Sequence, residues 1–188
     1  MSDTYYVKTF GGLEITNDNV TVNIVELFGK QLVNLLQVLL FHSEKPVQKD
    51  ELIDILWPES KNPSSALKFS IFRLRAELNE IEFFKDKEVI VTTRKGYILN
   101  PNLDWNIDFV ELEKAYNQIN DGSELLDEKE FKTARKIFRL YQGRFYASPS
   151  QLHWILQKQE IFRQMYVKTM MRTSCYLYTQ KRYDEMML

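Results

Sequence analysis

The chain has 188 residues, of which 44% are hydrophobic and 13% aromatic, and its formal net charge is −1. This composition predicts one large or two small folded domains and excludes a disordered or low-complexity chain. No apolar run reaches the ~20 residues that span a bilayer, and the first residues lack the basic and apolar segments of a signal peptide. The single cysteine, Cys175, excludes an internal disulfide, so we expect a cytoplasmic protein without a membrane contact.

The beginning of the chain predicts short β-strands. Residues 5–10 are mostly aromatic and β-branched, and residues 13–15 alternate apolar with polar after two glycines. Residues 17–19 supply turn-forming side chains, and the alternation resumes at Val20 and Val22. A small antiparallel sheet is therefore expected.

The pattern then changes to the period of an α-helix. Five leucines recur at i, i+3, i+4, i+7 and i+8 and predict one wide apolar stripe: Leu32, Leu35, Leu36, Leu39 and Leu40. A second, short helix is expected from Lys49 to Trp57, with Trp57 in the core. Gln48 and Glu51 have the spacing of a capping box at its start. Pro58 ends this helix because proline lacks a backbone N–H.

A third helix follows the loop at 59–63, and Ser64 or Ser65 is its expected cap. Four apolar residues at spacings of 4, 3 and 4 predict its buried seam: Leu67, Ile71, Leu74 and Leu78. We expect Phe69 to pack beneath the second helix.

The other side of the third helix carries a different set of side chains. At ~100° per residue, Ser65, Phe72 and Ala76 point away from the buried seam. Lys68 and Arg73 flank the seam on either side. This face is therefore the candidate for contact with a partner.

Residues 89–93 and 97–99 are mostly β-branched, aromatic or aliphatic, and they bracket Arg94-Lys95-Gly96, which predicts a hairpin with a basic tip. Strands, helix, helix, turn, helix and hairpin, in this order, predict an α+β winged helix-turn-helix, which we assign to residues 1–102. In such a domain the third helix enters the major groove of double-stranded DNA and the hairpin reaches the minor groove or the backbone. We therefore expect a recognition helix at 65–78 and a wing at 89–99.

After Pro101 the sequence predicts helices only, over 107–119, 128–141 and 151–180, joined at Asp121-Gly122 and at 147–149. The predicted facing surfaces are Phe131, Ala134, Phe138 and Tyr141 on one helix and Trp154, Ile161, Met165, Tyr166 and Met170 on the other. Helix pairs of ~34 residues cannot bury such faces alone and usually stack at least three deep. We therefore expect residues 103–188 to form an incomplete all-α domain with apolar surface exposed on its last long helix.

Several motifs resemble those of known regulators. Trp57-Pro58 and the stretches at 67–78 and 92–99 resemble the winged-helix output domain of two-component response regulators. The start at 10–15 and the continuation beyond residue 101 resemble the SARP group of antibiotic regulatory proteins. In that group a tetratricopeptide-like bacterial transcriptional activator domain follows the winged helix. The motifs that resemble this second domain are the stretches 104–109 and 140–145, with Trp154, Arg163 and Tyr166.

The resemblance implies a transcriptional regulator, an activator by analogy, truncated within its helical domain. It places Ser65, Lys68 and Phe72 against base edges, Arg73 and Arg75 against phosphates, and Arg94 and Lys95 at the wing tip. Phe72 stands where the family usually has a polar or basic residue, so contact with a thymine methyl group is expected there. The helical half is expected to form a homodimer or to contact the transcription machinery, RNA polymerase included.

The charge balance leaves an alternative open. Residues 1–100 contain 12 Lys and Arg against 14 Asp and Glu, a net charge of −2. Phosphate contacts normally supply most of the affinity for DNA, so this balance predicts weak binding by a single copy. The alternative is a protein-interaction module that has lost DNA binding and docks through Phe69 and Phe72.

No arrangement of residues indicates an enzyme. Gly-rich phosphate loops, Ser/His/Asp patterns and paired carboxylates are missing from the sequence. His42 and His153 have no neighbours at metal-ligand spacing, so no metal site is expected. Cys175 lies among apolar residues and is expected to be an inert, buried thiol. We therefore expect no catalytic residue, cofactor or small-molecule substrate.

Overall fold

The computed structural model describes residues 4–119, 126–147 and 152–186. Within these residues the chain forms two compact units, and the first consists mainly of 4–6 and Glu14–Trp105. The second unit contains Val7–Leu13 together with nearly all of the described residues after Trp105. The predicted connections at Asp121-Gly122 and Ser148-Pro149 lie outside the described residues. The functional boundary near residue 102 stays a prediction.

The strands are β1 (Thr4–Lys8), β2 (Glu14–Asn17), β3 (Val20–Asn23), β4 (Ile90–Thr92), β5 (Tyr97–Leu99) and β6 (Asp104–Ile107). They form a four-stranded sheet in the order β3-β2-β1-β6 and a two-stranded sheet of β4 and β5. β2 and β3 are antiparallel, with Ile15 opposite Val22, as the alternating pattern predicts. The turn between them places Asp18 at φ +50°, a conformation that Asp tolerates better than most residues.

The strand β6 differs from the prediction that only helices follow Pro101. Asp104–Ile107 alternates between exposed and more buried side chains over only four residues. Such a short alternation directly before a helix is not distinguishable from the helix start in the sequence. The hydroxyl of Thr4 donates to the carboxylate of Asp104 at 2.6 Å.

The helices of the first unit are α1 (Ile24–Leu27), α2 (Lys30–Phe41), α3 (Lys49–Leu56) and α4 (Pro63–Asn79). All five predicted leucines of α2 are buried, as are the four predicted seam residues of α4. The antiparallel pairing of β4 and β5 confirms the predicted hairpin. This order of strands, helices and hairpin confirms the α+β winged-helix fold. Trp57, predicted in the core, is only half-buried at the end of α3.

Gln48 is the N-cap residue of α3 as predicted, but neither of the two predicted side-chain caps in this unit forms. Gln48 precedes α3, but its side chain makes no capping hydrogen bond. α4 begins two residues before Ser65, with Asn62 as the N-cap residue and Pro63 in its first turn. Proline suits this position because its ring fixes a helical φ and because the N–H it lacks would have no partner within the helix.

The second unit contains α5 (Asp108–Ile119), α6 (Glu128–Leu140) and α7 (His153–Thr179), which confirms the predicted helical second half. α6 begins at a capping box in which Asp127 accepts from the Glu130 N–H and Glu130 accepts from the Asp127 N–H, both at 2.7 Å. Within the described residues, no helix is long and apolar enough to cross a membrane.

The N-terminal segment Val7–Leu13 supplies part of the core of the second unit. Phe10 is fully buried, and its ring centroid lies 5.2–5.8 Å from those of Tyr141, Phe145 and Phe162. The Asp108 carboxylate accepts from the backbone N–H groups of Thr9, at 2.7 Å, and of Phe10, at 3.1 Å, and from the Thr9 hydroxyl. Burial raises the pKa of the Asp108 carboxyl above its ordinary value, whereas these hydrogen bonds lower it.

The buried seam of α7 differs from the predicted one. Its buried positions repeat every seven residues at Ile155, Phe162, Thr169 and Tyr176, joined by Thr173 and Leu177. Ile161 and Met170 are 40% and 44% exposed, so the predicted face was rotated relative to the real one. Cys175 is also exposed rather than buried. The expected exposed apolar surface on the last long helix is confirmed, and it includes Met171, which is 62% exposed.

Candidate nucleic-acid interface

The two faces of α4 differ sharply in burial. Leu67 and Leu74 on one side are 1% and 0% exposed, whereas Phe69 and Phe72 on the other side are 62% and 69% exposed. The prediction that Phe69 packs beneath the second helix is therefore wrong. Phe69 follows Leu67 by two residues, or ~200° around the helix, so it points away from the core.

The polar residues predicted for this face are also accessible. Ser65, Lys68 and Arg73 are exposed. Arg73 pairs with Glu77 one turn later at 3.2 Å. The two side chains are 52% and 38% exposed, and exposed pairs contribute only roughly 0–1 kcal/mol. Arg73 can therefore exchange this partner for a phosphate at little cost.

Arg75 has a different environment. Its guanidinium donates from Nε and Nη2 to the carbonyl oxygen of Ile90, at 3.1 and 2.7 Å, and from Nη2 to the hydroxyl of Thr92 at 2.9 Å. Ile90 and Thr92 are the first and last residues of β4. Arg75 thus joins α4 directly to the first strand of the hairpin.

The tip of the hairpin is a tight turn from Thr93 to Gly96. The Thr93 N–H donates to the Gly96 carbonyl at 2.8 Å, and the Thr93 hydroxyl accepts from the N–H groups of Lys95 and Gly96. The side chains of Arg94 and Lys95 are exposed and form no ion pair within the described part of the chain. A rigid turn therefore presents two cations without acidic partners.

The tip end of the hairpin is bonded to Val47, which lies two positions before α3. Val47 and Tyr97 exchange backbone hydrogen bonds of 2.8 and 3.0 Å in an antiparallel bridge. Gly96 has φ +153°, and a Cβ at this position would lie 1.8 Å from the Val47 carbonyl oxygen. Only glycine fits this close approach, which makes Gly96 and Val47 the second attachment of the hairpin.

The net charge of residues 1–100 is negative, but the charges are unevenly distributed over the surface of this part of the chain. α4 contains three basic residues and one acidic residue, and the turn of the hairpin adds Arg94 and Lys95. The excess of acidic residues lies elsewhere, for example at the exposed Asp50, Glu51 and Asp54 of α3. The surfaces predicted to meet DNA are therefore locally positive although residues 1–100 are not.

The structure thus brings Ser65, Lys68, Phe72 and Arg73 together on one face of α4 and places Arg94 and Lys95 on an attached turn. Sequence reasoning missed the attachment residues Val47, Gly96 and Ile90, because these contacts join positions far apart in the chain. No group of His, Cys, Asp and Glu side chains in the described ranges is arranged to bind a metal ion.

A sheet, the three helices α2, α3 and α4, and a β-hairpin, with α4 exposed along one face, define a winged helix-turn-helix. Residues 25–99 match the family described as "Transcriptional regulatory protein, C terminal", which extends from α1 to the end of β5. The matched family is one of transcriptional regulators, and the match supports a DNA-binding role in transcription regulation for these residues. Among curated proteins, no sequence matches the chain significantly.

The solved structures that are similar to this chain include the following two. The first is Mycobacterium tuberculosis EmbR in complex with a low-affinity phosphopeptide, with a TM-score of 0.62 and 18% sequence identity. The match covers 88% of this chain but 43% of the EmbR chain, so this chain spans less than half the length of EmbR. It supports the fold of a winged helix followed by a helical part. The second is the DNA-binding domain of E. coli CadC, with a TM-score of 0.38 and 25% identity over 50% of this chain and 88% of CadC's.

Proposed function

We propose that this chain binds specific DNA sequences and regulates transcription, with α4 in the major groove and the β4–β5 hairpin on the neighbouring minor groove or backbone. The observation that carries the proposal is the double attachment of the cationic turn, through Arg75 to Ile90 and through Val47 to Tyr97. These contacts fix the distance between helix and turn before any DNA is bound. A preorganised two-point surface suits a duplex, because its grooves have a fixed spacing.

Each exposed side chain has a proposed role. Ser65, Lys68 and Phe72 contact base edges, because they lie on the outer face of α4 or at its margin. Arg73 binds a phosphate after leaving Glu77. Arg94 and Lys95 enter the minor groove or bind its phosphates, where narrow A·T-rich segments attract cations most strongly.

Arg75, predicted from the resemblance to bind a phosphate, is proposed instead to position the hairpin. Two of its nitrogen atoms already donate to β4. Breaking these bonds would leave the Ile90 carbonyl without its partner, which carries an energetic cost that the exposed Arg73 does not face.

We further propose that the chain acts as a homodimer of the SARP type. One copy offers few cations for phosphate contact, chiefly Arg73, Arg94 and Lys95, so two copies on adjacent half-sites are needed for strong binding. The exposed apolar side chains of α7 supply a contact surface of suitable chemistry: Leu156, Ile161, Met170, Met171 and Tyr178. Sedimentation equilibrium tests this, since Met171→Asp should shift a dimer to monomer. Activation and a contact with RNA polymerase are part of the same proposal, by resemblance alone.

The test is selection from a random duplex library, followed by anisotropy titration of the enriched duplex at several salt concentrations. We expect one enriched motif and an affinity that falls steeply with salt. Arg94→Ala should reduce the slope of log K against log salt by about 0.9 for each bound copy, the value for one lost phosphate contact. Lys68→Ala should also change the enriched sequence. Lys132→Ala on α6 removes the same charge from an exposed site and serves as the control.

A protein-docking module is the second candidate, and the exposure of Phe69 and Phe72 favours it. An apolar protein interface is much less sensitive to salt than phosphate contact. No enriched motif, together with no binding at low salt, would contradict the DNA proposal and support docking through these two rings.

A further inference from the structure

We infer that Phe69, Phe72 and Ala76 form an apolar strip that recognises thymine methyl groups in the major groove, an inference that rests on the proposed binding of α4 to DNA. The resemblance places Ser65, Lys68 and Phe72 against bases, and Phe72 is the only apolar residue among them. The structure adds Phe69, which the sequence assigned to the core, and aligns it with Phe72 and Ala76 on one face.

The strip lies at the centre of the exposed face. At ~100° per residue, positions 69, 72 and 76 fall within ~60° of each other, opposite the fully buried Leu74. Phe69 and Phe72 are 62% and 69% exposed, and Ala76 is exposed as well. The strip is therefore the part of α4 that projects furthest from the core.

Cationic side chains border the strip on both sides. Lys68 lies ~40° beyond Phe72 on one side, and Arg73 lies ~40° beyond Phe69 on the other. In the major groove the base edges lie in the middle and the phosphates lie along both walls. An apolar strip with a cation on each side therefore matches the major groove, which has phosphates on both walls. A protein surface matches it less well, unless that surface carries two rows of negative charge.

The chemistry of the base edges selects thymine. A phenyl ring neither donates nor accepts a conventional hydrogen bond. The major-groove edges of G, C and A carry donors and acceptors but no methyl group, whereas T presents its C5-methyl group beside O4. Covering a donor or acceptor with a phenyl ring removes its water without replacement, which is unfavourable. Positions that face Phe69 and Phe72 should therefore be thymines.

Deoxyuridine substitution tests this inference directly. Uracil lacks only the C5-methyl group and keeps the pairing and polar edges of thymine. In the enriched duplex, each thymine is replaced singly by deoxyuridine and the affinity is measured by anisotropy. We expect about a fourfold loss at each of one to three positions, the value for one buried methyl-sized group.

The protein variants identify the side chain responsible. In Phe72→Ala, deoxyuridine at the position that faces Phe72 should cause no further loss, and in Phe69→Ala the same should hold at a different position. Leu27→Ala, which removes a 58% exposed leucine from α1, should keep the full response to deoxyuridine at both positions. Circular dichroism checks that each variant is folded.

The outcomes separate this inference from the proposed function. Sequence-specific, salt-dependent binding that is unchanged by deoxyuridine at every position overturns the thymine inference and leaves the proposed function intact. A deoxyuridine effect that persists in Phe69→Ala and in Phe72→Ala also overturns it, because other residues then contact the methyl groups. Absence of any DNA binding at low salt contradicts both and supports protein docking.

Discussion

The guanidinium of Arg75 donates twice to the carbonyl oxygen of Ile90, fifteen residues later in the chain, at 3.1 and 2.7 Å. One residue of α4 thereby joins this helix to the hairpin. The proposed mode of DNA binding needs the helix and the hairpin at a fixed separation, so in that proposal Arg75 affects affinity by positioning the hairpin.

Arg75→Met tests this positioning role. Methionine keeps much of the side-chain length but loses the hydrogen bonds to β4, so the free energy of unfolding should fall by about 2 kcal/mol. Affinity for DNA should fall as well, with the salt slope unchanged, because no phosphate contact is lost. Urea denaturation and anisotropy titration measure the two effects. A salt slope reduced by about 0.9 with normal stability would instead identify Arg75 as a phosphate ligand.

Gly96→Ala should disrupt the attachment of the hairpin turn to Val47. The new Cβ would lie 1.8 Å from the Val47 carbonyl oxygen, so the backbone must separate or the bridge to Tyr97 must break. We expect a loss of about 3 kcal/mol or more in the free energy of unfolding. Gly12→Ala is the matched control, because nothing lies within 4 Å of its added Cβ. Equal effects of the two substitutions would contradict the importance of the Gly96–Val47 approach.

The two faces of α4 should respond oppositely to truncation. Leu74→Ala removes a fully buried side chain and should cost about 3 kcal/mol of stability. Phe72→Ala removes a ring that is 69% exposed and should change stability by no more than about 0.5 kcal/mol. Denaturation curves of both variants provide the measurement. A large loss of stability in Phe72→Ala would mean that the ring serves the fold rather than a partner.

Asp108→Asn tests the competition between burial and hydrogen bonding at one carboxyl. Burial raises the folded-state pKa above the unfolded value, so the folded protein binds the proton more tightly. The associated stability is complete below the unfolded pKa and is lost as the pH rises through the folded pKa. Asparagine does not titrate, so the stability of the variant relative to the native protein should rise with pH over this window. A relative stability that falls with pH would show that the bonds from Thr9 and Phe10 dominate.

The elements of the winged helix follow from the sequence because each depends on local periodicity. The leucine spacing in α2 and the seam from Leu67 to Leu78 can be identified without knowledge of the rest of the chain. The same period gives the exposed direction of Ser65, Lys68 and Phe72. The same period also predicts that Phe69 points outward. The prediction that Phe69 packs in the core was wrong because it relied on the residue type rather than on the helical position.

Other features depend on contacts between distant parts of the chain and leave no local signal. The pairing of Arg75 with Ile90 and of Val47 with Tyr97 exists only after the helices and the hairpin have packed. The seam of α7 is a similar case, since Phe162 packs against the rings of Phe10, Phe109 and Phe145, which lie far from it in the chain. Phe162 and Ile161 are equally apolar neighbours, yet only Phe162 is buried.

The assignment of Val7–Leu13 to the second compact unit affects how this protein could be divided or recombined. Phe10 lies in an aromatic cluster of the second unit, and Thr9 donates to Asp108. Both residues nevertheless precede the helices and the hairpin of the winged helix in the chain. An exchange of winged-helix units between regulators by a single crossover near residue 102 would also replace the segment Val7–Leu13. The core of the helical unit would then contain a segment from the other protein in place of its own Val7–Leu13. To transfer the winged-helix unit without disturbing the helical unit, the exchange needs two breakpoints, or the incoming chain must also carry a Phe at position 10.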